Sequence, residues 1–229
     1  MKVFLNAATD LGINQYKGYK NKAFVTIKED TQSIYLNEDE LRAIYDLDLS
    51  NKPKYEKVRD LFIIGCWTGL RFSDWNKINK DNITDGYLDV TQQKSGDQIA
   101  IPLHPTVEEI INKYEGELPE VISNQKFNEY IKDVAELAKI NDKVKKSITK
   151  GTMTTTKTYE KWELVTTHCA RRSFATNLYL AGVPTLTIMA ITGHKTEASF
   201  LKYIKVTPRE HAKILREFWN RQSMKVSSQ

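Results

Sequence analysis

Residues 168–195 read HCARRSFATNLYLAGVPTLTIMAITGHK, and the way this stretch divides into helices decides the fold. From His168 to Ala181 the residues suit a helix, and Gly182 supplies its stop. Pro184 suits the start of a second helix, which Gly193 ends. Thr196 can cap a short third helix carrying Phe200 and Tyr203. Thr207-Pro208-Arg209-Glu210 then combines a capping box with proline at the first helical position, opening a last helix to about Arg221. Ile214, Leu215, Phe218 and Trp219 form an apolar stripe on that helix, to be covered either by its own domain or by a neighbouring subunit.

Working back toward the N terminus, Ser147 to Thr166 is rich in Thr, Lys and aromatics and reads as a hairpin with Gly151 near its turn. Gln125 to Ile140 has helical periodicity through Phe127, Tyr130, Ile131, Val134, Leu137 and Ala138, and a shorter helix spans Thr106 to Tyr114. From Tyr87 the period changes to two. Leu88, Val90, Gln92 and Lys94 share one parity, Ser95-Gly96-Asp97 turns the chain, and Ile99, Ile101 and Leu103 alternate on the return. This hairpin carries Lys94 at its tip. Pro53 opens a helix with Tyr55, Val58, Leu61, Phe62 and Cys66 inward; Thr68-Gly69 closes it, and Arg71 follows at once. Asn37 with Glu40 forms a capping box before Leu41, Ile44 and Tyr45. Ala23 to Ile27 is a short strand, Gln15 to Lys22 a polar basic linker, and the residues through Asn14 resemble the tail of a helix stopped at Gly12. The fold class is α+β: a mainly helical domain with small antiparallel β-hairpins.

The bulk properties set limits. A 229-residue chain with 40% hydrophobic and 28% charged residues is long enough for a well-buried core. No apolar run approaches the roughly 20 residues that cross a bilayer, and the start shows no basic leader or cleavage site, so neither a membrane partner nor a signal peptide is expected. Cys66 and Cys169 suggest neither a disulfide framework nor a metal site. The 34 lysines and arginines exceed the 29 acids to give +5. They cluster at Lys143, Lys145, Lys146, Lys150, Lys157 and Lys161, and again at Lys195, Lys202, Lys205 and Arg209. Such clusters suit phosphate neutralisation on DNA, although a solvated charged face has the same composition.

Phosphodiester exchange without a metal needs guanidinium groups on the non-bridging oxygens, a nucleophile, and a proton donor for the leaving 5′ oxygen. Tyrosine suits the nucleophile because its phosphodiester conserves bond energy, so religation needs no ATP. The chain offers Arg71 at a helix–helix junction, and His168 with Arg171 at i and i+3 on one helix, where both can face one phosphate. His194 follows Gly193, and Tyr203 lies nine residues further on. Singly these are weak signals: Tyr203 is one of 11 tyrosines, and His194 has the position of an ordinary C-terminal cap. Their order and spacing together carry the reading.

TGLRFSD (68–74), residues 168–195 and FLKYIK (200–205) resemble the boxes of the tyrosine recombinase (phage integrase) family, over about Phe24 to Ile214. More narrowly they are similar to integrases of Bacteroides-type conjugative transposons and mobile elements. The resemblance implies a catalytic domain over residues 21–229, with residues 1–20 as the end of a core-binding domain and its linker, and hence a piece of a longer recombinase. It implies that Arg71 and Arg171 clamp the scissile phosphate and that Lys94 protonates the leaving oxygen. His168 would assist proton transfer, His194 would hydrogen-bond the phosphate, and Tyr203 would form a 3′-phosphotyrosyl bond. Asp74 would support the site from behind. Lys94, Lys195 and Lys202 would contact DNA, and Arg172, pointing elsewhere on its helix than Arg171, would be structural or contact the DNA backbone. No cofactor or metal is implied.

The implied partners are double-stranded recombination sites, a homotetramer on DNA, and accessory bending or directionality proteins, in the bacterial cytoplasm at the nucleoid. The implied function is integration or excision of a mobile element. Three alternatives stand beside it: a type IB topoisomerase-like enzyme, a non-catalytic DNA-binding module of the same fold, and a metal-dependent nuclease, which would need carboxylate or histidine clusters.

Overall fold

The computed structural model describes residues 2–21, 33–150, 153–204 and 206–226, with backbone alone at 148–150, 153–154, 202, 217–218 and 221–226. The strand expected at Ala23–Ile27 lies outside the described residues. Contacts group Met1–Thr31 with Ser147–Thr156, and Gln32–Lys146 with Lys157–Gln229.

In the first group, α1 (Lys2–Asp10) ends ahead of Gly12, whose φ of 73° supplies the left-handed turn. The expected linker contains a 3-10 turn at Gly18–Lys20. Its Tyr19 is buried, and the hydroxyl donates to the Leu5 carbonyl at 3.0 Å.

The second group holds α2 (Glu38–Tyr45), α3 (Pro53–Thr68), α4 (Pro105–Lys113), α5 (Asn124–Leu137), α6 (Thr167–Leu180), α7 (Thr185–Thr192), α8 (Glu197–Tyr203) and α9 (Pro208–Val226). β1 (Ile83–Thr84), β2 (Tyr87–Thr91) and β3 (Gln98–Pro102) form an antiparallel sheet in chain order, with Leu88 opposite Ile101 and Val90 opposite Ile99. β4 (Lys143–Lys150) and β5 (Met153–Glu160) make a second, two-stranded sheet. This hairpin starts before the expected Ser147 and ends before Thr166. Lys139, at a φ of 58°, terminates α5 early enough for extended backbone from Lys143, and Lys161–Leu164 winds into a 3-10 turn.

α3 is the centre. Every residue from Val58 to Cys66 is buried, which marks a helix enclosed on all sides. α6, α5, α2 and α4 pack around it. Arg59 and Asp60 lie inside this apolar run and were not singled out as a pair from sequence. The Arg59 Nε–Asp60 Oδ1 contact of 2.5 Å joins Lys113 Nζ (2.7 Å) and the Tyr114 hydroxyl (2.8 Å) on Asp60 Oδ2, and Arg59 also donates to the carbonyls of Tyr45 and Leu47. The buried charges are thereby paired and hydrogen-bonded.

Gly69 caps α3 at a φ of 64°. A Cβ there would lie 2.4 Å from the Phe174 ring, so only glycine lets α6 approach this corner. Phe174, Ala175, Ile188, Met189, Phe200 and Ile204 form a separate small core beneath α6, α7 and α8. That core seats the helix ending in Tyr203.

Candidate active site

Two arginines meet at the Gly69 corner. Arg171, on α6, is 5% exposed, and its Nη1 donates to the Gly69 carbonyl at 2.6 Å. Burial draws its pKa down to about 10; Tyr203 opposes that shift and Arg71 adds to it, so the guanidinium stays charged at neutral pH. Arg71 leaves the α3 cap in extended backbone (φ −71°, ψ 150°), and its Nη1 donates to Gln92 Oε1. Both arginines therefore rest on neutral acceptors.

His194 follows the left-handed cap of α7 at Gly193 (φ 58°). Thr192 Oγ1 donates its single proton to the Ile188 carbonyl at 2.6 Å, so at its 2.8 Å contact with His194 Nδ1 it must accept. The ring then carries its proton on Nδ1 and leaves Nε2 bare. Burial, followed by the charges of Arg171 and Arg71, lowers its pKa to about 4, so the imidazole is neutral. It stands 4.8 Å from the Tyr203 ring and 5.5 Å from Phe200, centroid to centroid.

Tyr203 closes α8. Its hydroxyl is buried and completes no hydrogen bond of normal geometry, although Arg171 is close enough for mutual electrostatic pull. Burial raises its pKa, and Arg171 and Arg172 pull the other way. His168 sits in the first turn of α6 with an exposed edge; partial burial, then Arg172 and Arg171, lower its pKa.

The remaining sequence-predicted residues separate by role. Lys94 is exposed in the β2–β3 turn, as its position at the tip implied. Asp74 is fully buried; its Oδ1 accepts from the Gln93 amide at 2.8 Å and pairs with Lys77 at 3.2 Å, so it braces the turn one residue before Lys94. Lys195 is exposed and paired with Asp97 at 2.7 Å, a contact of small energetic weight in solvent. The Lys202 side chain lies outside those described. Arg172 is directed into the protein: Nε donates to the Tyr203 carbonyl and Nη1 to the Ile34 carbonyl, each at 3.2 Å, and the guanidinium lies 5.0 Å from the Tyr203 ring centroid. That engagement is of the structural kind, one of the two roles expected of Arg172.

In the second hairpin Lys143 pairs with Glu160, and Lys161 holds Glu40 at 2.5 and 2.7 Å, so part of that basic cluster is already neutralised. Sequence reasoning missed Gln92, although a polar residue sharing the buried parity of Leu88 and Val90 was a usable signal. Among the described residues no group of three His, Cys, Asp or Glu side chains has metal-holding geometry, and no helix is long and apolar enough to cross a membrane.

The phage integrase family model matches residues 35–210. No curated protein gives a significant sequence match. Among solved structures, a lambda integrase(75-356) dimer bound to a COC' core site matches at 21% identity and a TM-score of 0.63, covering 89% of this chain and 70% of that one. XerA recombinase matches at 15% identity and 0.57, covering 96% and 73%. A lambda integrase tetramer bound to a Holliday junction matches at 21% and 0.60, covering 89% of this chain but only 56% of that one, so the chain spans little more than half its length. At these identities the likeness concerns the fold. With the model spanning residues 35–210, the chain belongs to the phage integrase family, and its fold is that of the tyrosine recombinase catalytic domain.

Proposed function

We propose that this chain is the chemical part of a site-specific DNA recombinase in which Tyr203 is the nucleophile. The observation that carries the reading is the convergence of Tyr203, His194 and Arg171 with Arg71 at one corner, where the cations rest on neutral acceptors. Such a corner suits a phosphodiester anion.

In the proposed step, Tyr203 Oη attacks phosphorus, loses its proton with assistance from His168, and forms a 3′-phosphotyrosyl bond. The P–O5′ bond breaks, and Lys94 supplies the proton to the departing 5′ oxygen. Arg71 and Arg171 hold the non-bridging oxygens while the extra negative charge develops, and His194 hydrogen-bonds the phosphate once the bound anion draws a proton onto its free Nε2. Attack by a 5′-hydroxyl of another strand reverses the chemistry and completes exchange, with neither ATP nor a metal. Asp74 acts behind this set by fixing the Lys94 turn.

The proposal extends to double-stranded DNA as substrate and to a homotetramer spanning two sites, supported by the lambda integrase tetramer on a Holliday junction among the similar structures. It takes residues 21–229 as the catalytic domain and residues 1–20 as the end of a preceding DNA-clamping domain. Integration or excision of a mobile element, with accessory bending proteins, and the narrower likeness to conjugative-transposon integrases rest on the sequence boxes alone.

The test incubates the chain with end-labelled duplexes nicked beside a randomised core, in EDTA, and separates covalent adducts on a denaturing gel. The expected result is an adduct whose tryptic peptide carries DNA on Tyr203, and none with Tyr203→Phe. An adduct that survives that substitution refutes the nucleophile. One that requires a divalent metal refutes the mechanism.

A further inference from the structure

Gln92 is 1% exposed, a buried polar side chain one residue past the end of β2. Each end of its amide is committed. Oε1 accepts from Arg71 Nη1 and from Ser95 Oγ at 3.3 Å, and Nε2 donates to the Ile191 carbonyl at 2.8 Å. The Ile191 carbonyl can only accept, which fixes the amide orientation and leaves Oε1 toward the arginine. The backbone is committed as well: its amide donates to the Asp97 carbonyl and its carbonyl accepts from Gly96, both at 2.9 Å. One residue thus joins Arg71 at the end of α3, the turn that carries Lys94, and the end of α7 just before His194. The fit is close on the α7 side, since a Cβ at Gly193 would lie 2.6 Å from Gln92 Oε1.

The usual partner for a half-buried arginine is a carboxylate, which gives the stronger hydrogen bond. Here a carboxylate would do harm on two counts. It would cancel the charge that Arg71 offers to a phosphate, and in a partly buried site that charge is worth more than in water. It would also set an oxygen against the Ile191 carbonyl where the amide now donates. A neutral amide orients the guanidinium and leaves its charge uncompensated.

We infer that Gln92 is a positioning residue of the phosphate site, setting the Arg71 guanidinium and tying it to the His194 turn without neutralising it. The inference rests on the recombinase reading above. Its test compares adduct formation on an ordinary nicked duplex with that on the same duplex carrying a methylphosphonate at the scissile position, which removes the phosphate's charge. Gln92→Glu, nearly isosteric, should slow cleavage of the phosphodiester by about 100-fold, the scale of losing one charge-stabilising donor. On the methylphosphonate, which needs less cationic compensation, the loss should be under about 10-fold.

A loss of equal size on both duplexes marks a shape defect and overturns the inference, as does a rate near that of the unaltered chain on both. If Gln92→Glu fails to fold, Gln92→Met is read with and without Arg71→Ala on the methylphosphonate. A residue acting through Arg71 then loses most of its effect in the Arg71→Ala background, whereas a loss persisting at full size overturns the inference. Absence of any adduct with the unaltered chain overturns the recombinase reading itself, and this inference with it.

Discussion

Gly193→Ala perturbs the site through one added methyl group, and the structure sets the size of the effect. Two costs arise. Gly193 has a φ of 58°, and placing an L-residue in left-handed backbone costs about 1–2 kcal/mol. The new Cβ would also lie 2.6 Å from Gln92 Oε1 and 3.4 Å from Arg71 Nη2. To reach ordinary contact Oε1 must retreat by about 0.8 Å, the difference between 2.6 Å and the 3.4 Å where such contact begins. A free side-chain end would yield cheaply, but this amide is buried and bonded to Arg71 and the Ile191 carbonyl. Its retreat drags the guanidinium with it, and a displacement near 1 Å in a catalytic group costs on the order of 100-fold in rate.

Gly182 supplies the control. Its φ is 84°, and a Cβ there meets nothing within 4 Å. Gly182→Ala therefore carries the backbone cost alone, lowering Tm by about 2–4 °C for each kcal/mol in a chain of this size. Gly193→Ala should unfold lower still, at a total cost of about 2–3 kcal/mol. The decisive comparison is adduct formation per folded molecule, measured well below both melting temperatures. Gly182→Ala should match the unaltered chain, and Gly193→Ala should fall by about 10–100-fold. Equal rates for the two variants would refute the claim that the Gly193 cap and Gln92 together set Arg71.

Three further outcomes are expected. Arg172→Leu removes the donors to the Tyr203 and Ile34 carbonyls and should cost about 1–3 kcal/mol, with slower adduct formation but DNA affinity and salt slope unchanged in gel-shift titrations; a shallower salt slope would instead mark Arg172 as a phosphate contact. Asp60→Leu strands Arg59 in the core and should destabilise by roughly 3 kcal/mol in urea unfolding, leaving the rate per folded molecule intact; near-neutral stability would show that the Tyr45 and Leu47 carbonyls suffice for Arg59. The third concerns pH. An unfolded histidine takes up its proton near 6.5 while folded His194 resists until about 4, so the unfolded chain binds more protons in that window and stability falls as pH falls through it. His168 and His104 are lowered in the same direction. The urea midpoint should drop between pH 7 and 4.5, and His194→Gln should flatten that drop; an unchanged slope would refute a neutral buried His194.

The parts of the fold legible in sequence were those that local chemistry dictates. The Asn37–Glu40 and Thr207–Glu210 boxes form as their residue types require, each satisfying helix-end donors through one acid and one small polar side chain. Gly69 and Gly193 stop their helices in left-handed backbone, and the alternation at Leu88 and Val90 gives a strand with one buried face. Less legible were features set by what lies across the fold. Helical spacing separates Arg172 from Arg171 by about 100° and so turns it away from a shared phosphate, but its target, the Tyr203 carbonyl, depends on where α8 docks. The Arg59–Asp60 pair reads as a break in an apolar run until Lys113 and Tyr114 arrive from another helix. β1 is two residues long and exists only through pairing with β2, so no local pattern announces it.

The electrostatic arrangement follows from these long-range contacts. Arg171 is nearly buried, which makes its charge costly, and Arg71 makes it costlier still. Elsewhere in this molecule such a cost is offset by a carboxylate: Arg59 lies against Asp60, and Lys161 against Glu40. At the Gly69 corner the hydrogen-bonding partners are a backbone carbonyl and an amide. The one buried acid nearby, Asp74, turns Oδ1 toward Gln93 and Lys77 and leaves Oδ2 without a hydrogen bond. His194 is held neutral and the Tyr203 phenol protonated, so neither supplies the missing negative charge. A fold that sets Arg59 and Lys161 against carboxylates and leaves these two on neutral partners gains most when an anion enters. The group that meets both arginines and the Tyr203 hydroxyl together is then better described as an oxyanion with several oxygens than as any single side chain.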